Sequence, residues 1–171
     1  MNVRRLTTAD ANLLPQAINI QQAAISAGTF DEWKGIAPYT RARLASIVQD
    51  NDQRLFGGFD DTGALRGILH VRRVGIDPVS VLPLWEFVAG IYDPTLGNLS
   101  FGKIYLLAVT MAAETFPGIA MHGKVVAGSQ LDQLWQARIG QYRTEIQGLG
   151  GDGTPLTLAA YTVPSEVVAA L

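Results

Sequence analysis

The sequence contains no cysteine, and this absence excludes several kinds of site. Without cysteine there is no disulfide framework, no thiolate metal site and no cysteine nucleophile. The chain has only two histidines, His70 and His122, and neither has a carboxylate pair at ligand spacing, so we expect no metal site. Both are more typical of hydrogen-bonded histidines within a sheet. The composition is compatible with a cytoplasmic protein, which is the location we expect.

Long apolar runs and an excess of basic residues are also missing. No apolar run approaches the roughly 20 residues that span a bilayer, and the first residues pass directly into a polar stretch, so we expect neither a membrane span nor a secretory signal. With 13 Lys and Arg against 15 Asp and Glu, the formal net charge is −2. Because a duplex-binding protein must neutralise several phosphates, we do not expect nucleic acid as a partner.

Two catalytic motifs are missing as well. The sequence has no P-loop and no Gly-x-Ser-x-Gly elbow, which excludes the nucleotide hydrolases and serine hydrolases that depend on them. The sequence does contain enough apolar residues to form a core, since 48 % of the 171 residues are hydrophobic and 16 % are charged. This length suits one domain and is short for two, so we predict a single domain over residues 1–171.

The hydrophobic periodicity predicts the order β-α-α-β-β-β-α-β-α-β-β. Helices are expected from Thr7 to Gly28, from Arg41 to Gln49, from Lys103 to Phe116 and after Ser129, with capping-box spacing at the first and last of these. An Asp-rich, Gly-ended turn at residues 60–63 predicts a hairpin. Strands are expected at Asn2–Leu6, Arg54–Phe59, Ala64–Val74, Leu84–Tyr92, Ile119–Val126, Tyr142–Leu149 and Leu156–Val163.

Glu86 is the only charged residue in the otherwise apolar strand from Leu84 to Tyr92. A carboxylate that faces an apolar cleft has a raised pKa and can deprotonate an amine, directly or through water. The alternative is a solvent-facing position on the sheet, paired across strands with Arg66 or Arg72. Both interpretations stay open. The aromatic residues Phe30, Trp33 and Tyr39 likewise either line a substrate pocket or cover the core.

The element order, together with the opening segment Val3 to Asp10, resembles the GNAT superfamily of N-acetyltransferases over nearly the whole chain. The resemblance implies an α/β (α+β) fold with a mixed, mostly antiparallel central sheet of about seven strands flanked by helices. It also implies acetyl-CoA as the cofactor and a small amine or a peptide amine as the substrate. Several GNAT enzymes place a glutamate base on the strand that holds Glu86, and the family's acceptor site lies where Phe30, Trp33 and Tyr39 fall.

In GNAT proteins the fourth strand leads into a loop of the pattern Gln/Arg-x-x-Gly-x-Gly/Ala, followed by a helix whose first backbone amides cradle the pyrophosphate. Here Gly102 matches the last small position, Ser100 takes the place of the middle glycine, and Gly97 replaces the leading residue. A glycine that eases a strand-to-helix turn would explain Gly97 and Gly102 equally well. The resemblance implies pyrophosphate binding by the segment Leu99, Ser100, Phe101, Gly102 and Lys103.

A second GNAT landmark is a tyrosine on the late helix, which can return a proton to the leaving thiolate. Trp135 stands at the corresponding position, and an indole cannot serve as this acid. Tyr142 lies nearby in the sequence and is the remaining candidate for the acid. The site is therefore partly degenerate by comparison with the family.

Two functional hypotheses follow. The first is acetyl-CoA-dependent transfer to an amine by direct attack on the thioester, with Glu86 as the base and Tyr142 as the acid. The second is a GNAT-like scaffold that has lost catalysis and binds a protein partner or a second copy of itself, as in divergent chains of this kind in bacteriophage genomes. A nucleic-acid-modifying enzyme is supported only by two small pairs of arginines, Arg41 with Arg43 and Arg72 with Arg73.

Overall fold

The computed structural model describes residues 2–28, 37–78, 81–96, 120–150 and 153–168. The described strands are β1 Asn2–Leu6, β2 Gln53–Phe59, β3 Leu65–Ile76, β4 Pro83–Tyr92, β5 Ala120–Val126, β6 Arg143–Leu149 and β7 Pro155–Val163. The described helices are α1 Leu14–Ser26, α2 Arg41–Gln49, α3 Gln130–Ile139 and α4 Ser165–Val168. Within these ranges no helix has the length and apolar character that crossing a membrane requires. The helix predicted from Lys103 to Phe116 lies outside the described residues.

The seven strands form one sheet in the order β1-β2-β3-β4-β5-β7-β6. Every neighbouring pair is antiparallel except β4 and β5, which are parallel. Parallel neighbours need a long crossover between them, and the chain from Tyr92 to Ala120 is long enough to provide one. The prediction of a mixed, mostly antiparallel sheet of about seven strands is confirmed.

The two faces of the sheet bury separate apolar clusters, because side chains alternate along each strand. We call them the α1–α2 face and the α3 face, after the helices that cover them. The α1–α2 face buries Leu6, Leu14, Ala17, Ile20, Tyr39, Leu44, Ile47, Leu55, Ala89 and Ile91, among others. The α3 face buries Val3, Phe56, Val71, Trp85, Phe87, Met121, Val125, Leu131, Trp135 and Tyr161, among others.

The start of the first helix differs from the prediction. The capping box is present, with the Thr7 backbone N–H donating to Asp10 Oδ2 over 2.9 Å. The residues that follow, Thr8–Leu13, form a 3-10 segment that contains a non-helical kink at Asp10, and the α-helix begins only at Leu14. Pro15 explains this position, because a proline in the first turn lacks only an N–H that has no helical partner there.

The boundary near Tyr142 was also predicted wrongly. Tyr142 ends a short 3-10 turn, Gly140–Tyr142, and β6 begins one residue later at Arg143. The turn continues directly from α3, so the chain leaves the helix by tightening it before it becomes extended. Tyr142 therefore lies in the connection between helix and strand instead of in the sheet.

Candidate functional site

The pairing between β4 and β5 ends early and leaves a wedge between the two strands. Four residue pairs join them, from Leu84 with Ala120 to Phe87 with Gly123. Beyond this point β4 still pairs with β3, and β5 still pairs with β7 as far as Val126. Each strand therefore keeps its outer neighbour, but on the inner side Val88–Ile91 of β4 and Lys124–Val126 of β5 are not paired with each other. Such facing backbone edges can bind an extended chain that contains amides.

A β-bulge lies at the apex of this wedge. In the pairing of β3 with β4, His70 stands opposite Ala89 and Val71 stands opposite Phe87, which makes Val88 an extra residue. The bulge reverses the alternation along β4: Trp85 and Phe87 belong to the cluster on the α3 face, whereas Ala89 and Ile91 belong to the α1–α2 face. Bulges are common next to functional sites because they redirect side chains and backbone groups.

A line of polar side chains crosses four strands beside the apex on the α1–α2 face. Arg72 pairs in register with Glu86, Glu86 with His122, and His122 with Thr162. These residues alternate along their strands with the apolar residues of the α3 face, so they all lie on the opposite face. Lys124 follows two residues after His122 and shares its face. We call Arg72, Glu86, His122, Lys124 and Thr162 the polar row.

Glu86 stands at the centre of the polar row and is held by two cations. The Arg72 Nε donates to Glu86 Oε2 over 2.8 Å, and Arg72 Nη2 lies 2.7 Å from the same oxygen as an ion pair. The Lys124 Nζ lies 3.6 Å from the other oxygen, Oε1. The Glu86 side chain is 12 % exposed, whereas those of Arg72 and Lys124 are 53 and 42 % exposed. The cross-strand pairing with Arg72 that the sequence left open is therefore present, and the carboxylate is nearly buried but within reach of solvent.

His122 extends the row towards β7. Its Nδ1 lies 3.0 Å from the Thr162 hydroxyl. Burial lowers the pKa of His122, the Lys124 charge lowers it further, and Glu86 opposes this effect. The imidazole is therefore neutral at pH 7 and can exchange hydrogen bonds with a ligand.

His70 lies deeper on the same face and is fully engaged. Its Nδ1 is 2.8 Å from the Tyr39 hydroxyl, and its Nε2 is 2.9 Å from Gln53 Oε1. The Gln53 amide nitrogen donates to Asp50 Oδ2 over 2.6 Å, which fixes the orientation of that amide. Since Gln53 Oε1 can only accept, the His70 proton is on Nε2, and Tyr39 donates to Nδ1. Burial lowers the pKa of His70 to about 4, with further lowering by Arg43 and Arg72.

Tyr39 anchors the segment that precedes α2. The Gln21 side chain accepts from the Tyr39 N–H over 2.7 Å and donates to the Tyr39 carbonyl over 3.0 Å. The Arg43 guanidinium lies 4.7 Å from the centre of the Tyr39 ring. Tyr39 is buried, and burial raises the pKa of its hydroxyl. Of the two interpretations of this aromatic residue, its contacts match the one that covers the core.

Trp135 packs against the apex of the wedge from the α3 face. A Cβ placed on Gly123 would lie 2.6 and 2.7 Å from two atoms of the indole, which shows that the ring rests directly on the β5 backbone. The ring also contacts Phe87 and Tyr161, with centroid distances of 6.2 and 5.1 Å. Glycine at position 123 is what permits this close approach. Trp135 therefore has a packing role here.

The two proposed catalytic side chains lie on opposite faces of the sheet. Glu86 faces α1 and α2, whereas Tyr142 packs against the cluster on the α3 face. The structure therefore does not place Tyr142 beside Glu86 and the rest of the polar row. Other predicted site residues lie outside the described residues: the pyrophosphate segment Leu99, Ser100, Phe101, Gly102 and Lys103, and the aromatic residues Phe30 and Trp33.

One cavity lies away from this site. It has a volume of about 590 Å³ and is bounded by β1, the 3-10 segment and the β2–β3 turn. Three of its charged residues form ion pairs: Arg4 with Asp10 at 2.7 Å, and Asp60 with Arg66 at 2.7 Å. None of its lining residues belongs to the polar row or the wedge, so the cavity does not enlarge the site.

The wedge is compatible with an acyl-CoA cofactor. The pantetheine arm of coenzyme A is an extended chain with two amides, and the inner edges of β4 and β5, which do not pair with each other here, would offer backbone partners for such a chain. The residues that would hold it are Val88 to Ile91 and Lys124 to Val126, beside the nearly buried Glu86. The described residues contain no group of three His, Asp or Glu side chains that could hold a metal ion.

Comparison with known proteins shows the fold and no closer relationship. No protein-family model matches the sequence, and no curated protein is similar to it. Many solved structures are similar in fold. The ribosomal-protein-alanine N-acetyltransferase of Brucella melitensis has a TM-score of 0.67 at 14 % identity, with 96 % of this chain and 99 % of that chain covered. The Escherichia coli ribosomal-protein-S18-alanine N-acetyltransferase has a TM-score of 0.61 at 13 % identity, with 95 and 94 % covered.

A third similar structure is a chimera of the Vibrio cholerae spermidine N-acetyltransferase. Its TM-score is 0.65 at 14 % identity, and 99 % of this chain and 98 % of that chain are covered. The chain therefore has the GNAT acetyltransferase fold, as the element order predicted. Two of these proteins are named for a ribosomal-protein alanine and the third for spermidine, so the fold by itself does not identify the acceptor.

Proposed function

We propose that the protein is an acetyl-CoA-dependent N-acetyltransferase that acts on an amine, with Glu86 as the general base. The observation that supports this most is the position of Glu86, a nearly buried carboxylate at the point where β4 and β5 separate. The GNAT fold of the chain is consistent with this activity. When bound, acetyl-CoA would supply the acetyl group as a reactive thioester.

In the proposed step the acceptor amine attacks the thioester carbonyl directly, since no cysteine is available for a covalent intermediate. A C–N bond forms, the C–S bond breaks, and the amine loses one proton. Glu86 takes this proton, directly or through a water molecule. Arg72 and Lys124 hold the carboxylate in place, because each contacts a different oxygen. The proton on the leaving sulfur comes from solvent or from Tyr142, and the second of these requires that Tyr142 reach the wedge from the α3 face.

Two measurements test the proposal. Isothermal titration with acetyl-CoA should show binding below millimolar concentration, and no binding up to that concentration would overturn the proposal. In an assay of coenzyme A release, Glu86→Gln should lower kcat by about 10²–10⁴-fold, the usual contribution of a general base. The matched control is Glu145→Gln on β6, which changes an exposed carboxylate outside the site and should leave kcat unchanged.

The alternative function is a GNAT-fold binding protein without catalysis. It is favoured by the two ion pairs of Glu86, by the packing role of Trp135 and by the separation of Tyr142 from Glu86. Such a protein would act through contacts with a protein partner or with a second copy. It predicts equal residual activity in wild type and Glu86→Gln, and an average mass in light scattering that rises with concentration. A bacteriophage source and a cytoplasmic location stay predictions.

A further inference from the structure

The surroundings of Glu86 carry more positive than negative charge, although the whole chain has a net charge of −2. Arg72 and Lys124 flank the single carboxylate of the polar row from two different strands. A third cation, Arg43 on α2, lies over the Tyr39 ring, and Tyr39 is bonded to His70 on the same face. Arg43 and Arg72 both lower the pKa of His70 and Asp50 raises it, so two cations and one carboxylate act on this part of the face.

The two cations beside Glu86 keep binding capacity that the carboxylate does not use. Arg72 has five N–H groups; its Nε–H donates to Glu86 Oε2, and its Nη2 lies near the same oxygen. The Lys124 ammonium stands 3.6 Å from the carboxylate, beyond ordinary hydrogen-bond distance. About half of each cation's side chain is exposed, so an incoming anion can reach both without displacing Glu86.

We propose that the acceptor is an amine with a carboxylate or phosphate close to its nitrogen, and that Arg72 and Lys124 bind this anionic group. The inference rests on the proposed acetyltransferase function and names its substrate class. An anion bound by these two residues would place the neighbouring amine beside Glu86. A polyamine would bring further positive charge to a site that is already cationic, and such like-charge contact disfavours binding.

Matched acceptors test this class. The panel consists of O-phosphoethanolamine and ethanolamine, alanyl peptides with Asp, Gln or Lys at the second position, and spermidine, each assayed by coenzyme A release. The anionic member of each matched set should have a kcat/KM at least tenfold above its neutral partner, and spermidine should be the poorest substrate. Comparing phosphoethanolamine with the Asp peptide distinguishes a phosphate from a carboxylate. Equal values for anionic and neutral acceptors would overturn the proposal.

Variants separate anion binding from support of Glu86. Arg72→Gln and Lys124→Gln should raise KM about tenfold more for the anionic acceptor than for the neutral one, whereas any loss of kcat through their contacts with Glu86 should be the same for both acceptors. An equal rise in KM for both acceptors would show that these cations only position Glu86. Arg73→Gln is the matched control, because Arg73 is the next residue along β3, lies on the opposite face and pairs with Asp52. It should leave the preference unchanged.

Direct binding makes the result independent of catalysis. Isothermal titration of O-phosphoethanolamine and of the Asp peptide into the protein, with and without acetyl-CoA, should show affinity that Arg72→Gln weakens. Binding of the anionic amine in a protein that fails to bind acetyl-CoA would support the anion site and reject the acetyltransferase function. Acetyl transfer to a neutral amine without binding of either anionic one would reject the anion site alone.

Discussion

The two faces of the sheet stabilise their buried carboxylates in different ways. On the α3 face, Asp132 accepts from Arg143 Nε and Nη2, each over 3.0 Å, from the Gly128 N–H over 2.7 Å, and from the Tyr161 hydroxyl. The Asp132 side chain is 3 % exposed and that of Arg143 is 16 % exposed. These contacts, the Arg143 bonds foremost, lower the pKa of Asp132 to about 2.

On the α1–α2 face, Glu86 is almost as buried as Asp132, but its partners are not. Arg72 and Lys124 are half exposed, and the Lys124 contact is long. Asp132 joins α3 to β6 and β7 through its contacts, whereas the ion-pair partners of Glu86 in the described part of the chain are side chains that also face solvent. A carboxylate with saturated, buried partners is a structural element, and one whose partners remain accessible is suited to bind a substrate.

The largest effect expected is the loss of Asp132. Asp132→Ala leaves the Arg143 cation, the Gly128 N–H and the Tyr161 hydroxyl without their shared acceptor, so it should lower the free energy of unfolding by about 3–5 kcal/mol. Urea unfolding followed by circular dichroism measures it. Asp132→Asn keeps one acceptor oxygen and should lose less. A loss below about 1 kcal/mol for the alanine variant would show that the two carboxylates do not differ.

The second effect concerns pH and tests the α1–α2 face. The pKa of His70 is about 4 in the folded protein and 6.5 in the unfolded chain, so between these values only the unfolded chain binds the proton. Stability should therefore fall as the pH drops from 6.5 to 4, by on the order of 3 kcal/mol. In His70→Gln, whose amide can bond both Tyr39 and Gln53, this share of the pH dependence should disappear. His122→Gln is the comparison variant, and its stability should keep most of the dependence on pH between 6.5 and 4.

The sequence predicted contacts that are local or lie within one hairpin. The cap at Ser129 follows from spacing along one helix, and this half of the box is present: Ser129 Oγ accepts from the Asp132 N–H over 3.2 Å, while Asp132 Oδ2 accepts from the Gly128 N–H. The pairing of Glu86 with Arg72 was one of two interpretations, since consecutive strands joined by a short turn form a predictable pair. These contacts need no knowledge of the whole sheet.

Contacts that depend on strand order could not be predicted. Lys124 reaches Glu86 only because β5 lies parallel to β4 after a long crossover, and Arg143 reaches Asp132 only because β6 follows α3 back to the sheet edge. The bulge at Val88 leaves no signal in the sequence, because the residue pattern of an apolar strand is the same with or without an extra residue. The role of the segment Leu99 to Lys103 as a pyrophosphate site stays a prediction.

The third effect tests how tightly the α3 face is packed. In Gly123→Ala the new methyl group would lie 2.6 Å from the Trp135 ring, so the variant should lose about 1–3 kcal/mol of unfolding free energy. Trp135→Phe in the same background should recover part of this loss. Gly148→Ala on β6 is the control, because its methyl group would meet chiefly the Leu158 side chain, 2.8 Å from the flexible Cδ1, and should cost less. Equal losses at both glycines would mean that the indole is free to move aside.

The smallest effect expected is the loss of Lys124. Lys124→Gln removes a cation that is 42 % exposed and 3.6 Å from its partner, so the free energy of unfolding should change by less than about 0.5 kcal/mol. Arg143→Gln is the matched change on the α3 face and should cost several times more, because Asp132 would be left buried without its cation. Similar losses of unfolding free energy in the two variants would show that the carboxylates on the two faces do not differ in how much they depend on their cations. If the two losses of unfolding free energy differ as expected, Lys124→Gln is about as stable as the wild type. Any change of acceptor preference in this variant is then an effect on substrate binding.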